Sequence, residues 1–287
     1  MEFIELNAYA KINLSLEVLA RRADGYHELR MVMHSVGLAD RIRVEKAQSG
    51  VLSVECDIPL PEKNTAYRAA ELFIAEAGCG GARIRLSKHI PAEAGLGGGS
   101  ADAAGVLHAL RLMYGGIDEA RLYELAKQVG ADVPFCYHGG CALVRGIGER
   151  LTTLEPAHLP LLIVKGSEGV STGALFRSLS PNDMGGDASI AQRMTDACRE
   201  GKAAVAASLF NALSPAAESL VPKIAEHRER MMEAGALGAI MTGSGSAVFG
   251  IFESLQKAKE AEALFTDCAF TSVCTTADKP YEIVAVG

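Results

Sequence analysis

The residues best suited to chemistry in this chain are Lys11, Asn13 and Asp132, with the run Pro91, Ala92, Glu93, Ala94, Gly95, Leu96, Gly97, Gly98, Gly99, Ser100 and Ala101. That run puts glycine at four of the five positions 95–99. Glycine lacks a Cβ, so such a loop can turn its backbone N–H groups toward one point, and a helix behind it adds unpaired N–H groups and a positive dipole end. The natural guest is a phosphate. A Walker loop would end in Gly-Lys-Ser/Thr, and a dinucleotide fingerprint would need a third glycine where Ser100 stands, so neither of those motifs is present. A flexible turn or a close-packing contact is the competing reading; glycine density and the adjoining helix start weigh against it.

Asp132 lies in Gly130-Ala131-Asp132-Val133-Pro134, behind a helix that Gly130 ends and ahead of a proline that holds Val133 extended. Such a rigid connection suits a general base, whose acceptance of a hydroxyl proton is worth about 10² to 10⁴-fold in rate. From this segment alone a capping or turn aspartate competes. Lys11 and Asn13 share one face of a strand that alternates with Ile12, Leu14 and Leu16. A cation beside the base favours its ionised form and offsets charge on a transferring phosphoryl group. By itself, a strand lysine also reads as a solvated surface group. A second glycine cluster, 242–250, is either a hairpin turn or a second backbone surface across a cleft. Arg21, Arg22, Tyr26 and His27 surround a turn and together suit a charged, ring-bearing ligand.

These residues need elements to hold them. Ala82, Ile84, Leu86 and Ile90 mark a strand ahead of the glycines, and Ala103, Leu107, Leu110 and Tyr114 mark a helix after them, with Ser100 as its N-cap. The first half also predicts strands over 4–16, 31–36, 42–44 and 142–145, and helices over 65–77 and 119–129. Periodicity is lost between about Leu151 and Pro160, which places a domain boundary there: 1–155 and 156–287. Beyond it the pattern predicts a strand over 161–164, helices over 188–213 and 221–234, strands over 239–242 and 247–252, a helix over 255–264, and a last strand pair around Thr271 and Ile283. The class is α+β, with helices over an antiparallel sheet in the second half.

Composition removes several functions. Net charge is −7 with no basic cluster, which argues against nucleic acid and for a small-molecule phosphate. No segment approaches the roughly 18–20 apolar residues of a membrane span, and the acidic start is unlike a signal peptide, so a cytoplasmic protein is expected. Seven cysteines without Cys-x-x-Cys suggest neither a disulfide framework nor a zinc site.

Six segments in order, Ala10-Lys-Ile-Asn-Leu14, Arg22-Ala-Asp-Gly-Tyr-His27, the glycine run, Gly130-Ala-Asp-Val-Pro-Phe135, Gly146-Ile-Gly-Glu149 and Met241-Thr-Gly-Ser-Gly-Ser246, resemble the GHMP kinase superfamily over nearly the whole chain. The block with Tyr26 and His27 resembles the branch acting on a cytidine-diphosphate-linked sugar alcohol. The resemblance implies a two-domain fold, with an N-terminal domain like a ribosomal-protein domain and a ferredoxin-like C-terminal domain. It implies ATP-dependent phosphorylation of the 2-hydroxyl of that substrate, a step of the non-mevalonate isoprenoid pathway. Asp132 matches the base and Lys11 its partner; Asn13 matches a substrate contact, Tyr26 and His27 the residues that hold cytosine, and Phe176 an aromatic closing over it. Asn64 and Lys88 match positions near the adenine, and the glycine run matches the ATP loop. Magnesium is expected with ATP, but related kinases carry serines where this chain has Gly98 and Gly99, and Ala101 replaces another, so no protein ligand is assigned. Asp102, the nearest carboxylate, reads equally as a helix N-terminal residue. Another GHMP kinase, acting on mevalonate, homoserine or a sugar, and a silent nucleotide-binding relative both stay open, as does the oligomeric state.

Overall fold

A computed structural model describes residues 1–287, the side chain at position 182 excepted. The chain opens with two long antiparallel strands, β1 (Phe3–Arg21) and β2 (His27–Ala47), followed by β3 (Leu52–Cys56), α1 (Thr65–Ala77), β4 (Gly81–Ser87), α2 (Gly98–Tyr114), α3 (Glu119–Val129), α4 (Val133–His138), β5 (Cys141–Gly146) and β6 (Arg150–Leu154). Next come β7 (Pro160–Lys165), α5 (Thr172–Ser178), α6 (Ala188–Glu200), α7 (Lys202–Ala207), β8 (Phe210–Asn211), α8 (Ser214–Leu220) and α9 (Lys223–Glu233). The hairpin β9 (Gly238–Met241) and β10 (Val248–Ile251), then α10 (Leu255–Glu262), β11 (Phe270–Ala277) and β12 (Tyr281–Val286), complete it.

β1 alternates buried Ile4, Leu6 and Ala8 with half-buried neighbours, as a strand with one covered face does. From Ala10 to Val18 every residue is buried, because the second half of the chain covers the other face as well. That is why polar Lys11, Asn13, Ser15 and Glu17 are enclosed. Under the first face lies a core of Ile12, Leu14, Ile42, Phe73, Leu107 and Leu110, filled by α1 and α2. Gly105 lets α2 approach the sheet, since a Cβ there would stand 2.6 Å from Ile42 Cδ1.

In the second half the strands run β11-β7-β10-β9, all antiparallel, with α9 and α10 packed on them. Counted along the chain from β7, that is the order fourth, first, third, second, the ferredoxin-like arrangement expected.

Three local expectations are corrected. The strands expected over 31–36 and 42–44 are one strand, because a bulge at Gly37 and Leu38 absorbs the break: Ala39 pairs with Tyr9 and Val36 with Ala10. The helical stretch over 188–213 divides at Gly201 and ends before β8, which pairs with β1. β11 and β12 do not pair with each other; β12 lies along β1, and β11 joins β7 and, through Thr276 and Ala277, β2. Among the described residues no helix is long and apolar enough to cross a membrane.

Candidate functional site

The glycine run leaves β4 and enters α2, as its position predicts, but Ser100 is not the cap. Gly97 is, with φ of 73°, and the helix starts at Gly98. Only glycine takes that left-handed conformation without strain while leaving room beside it. The first helical bond runs from Ala101 N–H to Gly97 C=O at 2.8 Å, so the N–H groups of Gly98, Gly99 and Ser100 precede the ladder and are available to an anion.

Backbone bonds fix the loop to both halves of the chain. Lys11 N–H donates to Leu96 C=O at 3.0 Å, Ser246 N–H to Glu93 C=O at 3.1 Å and Ala247 N–H to Ala94 C=O at 3.2 Å. Thr242 Oγ1 donates to Gly95 C=O at 3.3 Å and accepts from Asn13 N–H at 3.1 Å. The second glycine cluster is therefore both a β9–β10 hairpin turn and a surface docked on the first loop. The sequence marks Thr242 only as the first residue of that cluster and gives it no role of its own.

Lys11 and Asn13 face the same way, with Lys11 Nζ donating to Asn13 Oδ1 at 2.8 Å. The same ammonium stands 3.5 Å from Asp132 Oδ2. Pro134 does not hold Val133 extended: it lies in the first turn of α4, where a missing N–H costs nothing, and Val133 is already helical. Asp132 precedes that helix yet makes no side-chain capping bond, so its carboxylate, about a third exposed, is left for Lys11 and the cleft.

The aromatic end is built from both halves. His27 and Phe176 hold their ring centroids 5.0 Å apart, and exposed Tyr26 lines the cleft beside them. His27 Nε2 is buried without a hydrogen-bond partner. Burial, and then the charge of Arg21, push the His27 pKa down and favour the neutral ring. Arg22, by contrast, is paired with Asp24 and Glu28 within the turn.

Asn64 caps α1, accepting from Tyr67 N–H and donating to Pro61 C=O. Lys88 is enclosed between Asp40 and Asp102. Both line the cleft, and Asp40 carried no sequence signal.

One cleft of about 1040 Å³ joins these groups: Asn64, Lys88 and the glycine loop, then Lys11, Asn13 and Asp132, then Tyr26, His27 and Phe176. It exceeds the roughly 300–1,000 Å³ of an ordinary single-ligand pocket, which suits two ligands meeting. Among the described residues no three His, Cys, Asp or Glu side chains stand together as a metal cage. A magnesium ion entering on a polyphosphate, keeping mostly water and phosphate oxygens, fits such a site.

The model of the GHMP kinases N terminal domain matches residues 64–140, and that of the GHMP kinases C terminal matches 194–265. The chain is 48% identical over 265 residues to a 4-diphosphocytidyl-2-C-methyl-D-erythritol kinase of Pelotomaculum thermopropionicum, covering 90% of this chain and 92% of that one. It is 42% identical to the protein of that name in Desulfitobacterium hafniense, over 92% of each. A crystal structure of 4-(cytidine 5'-diphospho)-2C-methyl-D-erythritol kinase superposes with a TM-score of 0.82 at 40% identity, covering 95% of this chain and 99% of that one. Homoserine kinase from Cytophaga hutchinsonii, at 19% identity, a TM-score of 0.78 and 99% and 98% coverage, shares the fold.

Proposed function

The chain belongs to the GHMP kinases, and within them to the 4-diphosphocytidyl-2-C-methyl-D-erythritol kinases, and from that premise we propose how its cleft moves the γ-phosphoryl group of ATP to the 2-hydroxyl of that substrate, in the non-mevalonate route to isoprenoid precursors. The observation that carries the reading is the continuity of one cleft from the glycine loop, past Lys11 and Asp132, to His27 and Phe176.

Asp132 accepts the proton of the acceptor hydroxyl while its oxygen bonds to the γ-phosphorus and the bond to the β–γ bridging oxygen breaks, leaving ADP. Lys11, held by Asn13, pairs with Asp132 and faces the charge on the transferring group. Asn13 also contacts the substrate. The backbone from Pro91 to Ala101 wraps the polyphosphate, with Asn64 and Lys88 toward the adenine. Magnesium arriving with ATP would offset the charge of the polyphosphate, held mostly by water and phosphate oxygens.

Tyr26 and Phe176 sandwich the cytosine, and the unpartnered His27 Nε2 is the polar atom that reads its edge. Residues 1–155 thus supply the loop and the reacting pair, and 156–287 supply Phe176 and the Thr242 turn. Free cysteines and the use of ATP support a cytoplasmic location.

ADP release tests the reading, measured with the cytidine-diphosphate-linked substrate, mevalonate, homoserine and simple polyols, with CMP as competitor. Turnover is expected only with the first, inhibited by CMP. Efficient phosphorylation of a simple acceptor, untouched by CMP, would assign another GHMP specificity; ATP binding without turnover on any acceptor would make the chain a silent relative.

A further inference from the structure

Beneath the glycine loop three ionisable side chains are shut away from water: Asp40 at 0% exposed, Asp102 at 2%, and the Lys88 side chain at 8%. Asp40 is on β2, Lys88 follows β4, and Asp102 is in the first turns of α2. The Lys88 ammonium donates to Oδ2 of both carboxylates and lies 3.5 Å from where a Cβ on Gly98 would stand. Asp40 Oδ1 accepts from the backbone N–H groups of His89 at 2.6 Å and Ile90 at 2.8 Å. Asp102 Oδ1 is buried and has no donor.

Two carboxylates therefore share one ammonium, and three of their four oxygens receive hydrogen bonds while the fourth is bare. A net negative charge and a naked carboxylate oxygen are both costly in a dry site, and one proton on Asp102 Oδ1 removes both. Burial pushes the Asp102 pKa up to about 7, against the pull of Lys88 and with the help of Asp40. Cys136 on α4 is the other titratable neighbour, with its thiol pushed up by burial, while Lys11 and Asp132 line the same cleft.

We propose that Asp102 matches charge for the nucleotide: it takes up a proton as the polyphosphate binds, leaving a neutral cluster of Asp40 carboxylate, Lys88 ammonium and Asp102 carboxylic acid under the loop. The proton comes from solvent and returns to it when the nucleotide leaves. An arriving polyanion favours the neutral form of a nearby carboxyl, and by linkage the nucleotide then binds more tightly at lower pH, by up to about tenfold per pH unit for one full proton. Asp102 acts through the loop and Lys88 as a positioning residue. The inference rests on the assignment of that loop to ATP.

Calorimetry of magnesium-ATP binding to the full chain, in two buffers of different ionisation enthalpy at about pH 7.5, reads the proton uptake directly. The variant Asp102→Asn keeps the shape of the neutral acid and cannot take up the proton. Wild type is expected to take up more protons than the variant, which should bind ATP at least as tightly and with a flatter pH dependence; ionisation of ATP itself is common to both. Equal uptake, or a variant binding about tenfold more weakly at every pH, overturns the proposal. If neither protein binds ATP, the assignment of the loop fails instead. A second measurement needs no variant: ATP should raise the infrared carbonyl band of a protonated carboxylic acid in the wild-type protein, and its absence also overturns the proposal.

Discussion

Lys11 lies flat against the Cα of Gly97: a Cβ at that glycine would stand 3.0 Å from Lys11 Cγ and 3.3 Å from its Cε. The loop has no lysine of its own because one is pressed into it from β1, and the glycine makes the space. Gly97→Ala should therefore strain a φ of 73° and displace the ammonium together. The expected result is a folded protein about 1 kcal/mol less stable, with kcat lowered by as much as about 10²-fold from misplacement of the reacting groups. Denaturant unfolding and steady-state kinetics on the same preparation check both; unchanged kcat would separate the loop from the chemistry.

Asp132→Asn removes the proton acceptor and keeps the shape. Because Asp132 makes no capping bond to α4, the unfolding midpoint should hardly move while kcat falls by about 10² to 10⁴-fold. Single-turnover phosphoryl transfer is the measurement, and wild-type rates would remove Asp132 as the base.

Phe176→Ala and His27→Ala act at the far end of the cleft from the glycine loop. Each should raise KM for the cytidylyl substrate by roughly tenfold, the scale of one lost aromatic contact, with KM for ATP unchanged. If KM for ATP moved equally, the two ends of the cleft would not be separate subsites.

Acid should unfold the protein through two buried histidines. Ala157 N–H donates to His34 Nε2, so the proton sits on Nδ1, which donates to Ser35 C=O; His108 Nε2 donates to Tyr137 C=O. Both rings are neutral, and burial pushes each pKa down to about 4. The unfolded chain binds these protons first, so stability is intact above about pH 6.5 and is lost as pH falls from there toward 4, by roughly 3 kcal/mol per histidine. Urea unfolding at about pH 7 and pH 5 tests the sign; greater stability at pH 5 would contradict it.

The reach of the sequence differed between the halves of the problem. Helices over 65–77 and 119–129 were legible to the residue, because hydrophobic periodicity is a local signal. Lys11, Asn13 and the glycine run were legible from residue type and spacing. Ser100 was mistaken for a cap because a serine side chain is the commoner device, and the actual cap, Gly97, works through a backbone angle that residue type does not reveal. Asp40 and Thr242 were hidden for another reason: each acts on a segment far away in the chain, on the loop after β4 and on β1 respectively, and periodicity carries no information about such partners. The division of β11 and β12 between different neighbours belongs to the same class of long-range choice.

The pairing of β12 with Ile4 to Ala8 places residues 281–286 beside the strand that carries Lys11. Tyr9 and Glu282, whose side chains meet there, are 273 positions apart, so until this long-range pairing forms the edge of β1 from Ile4 to Ala8 has no strand beside it. A contact of such long sequence separation slows folding, and until it forms the open edge needs protection from other chains.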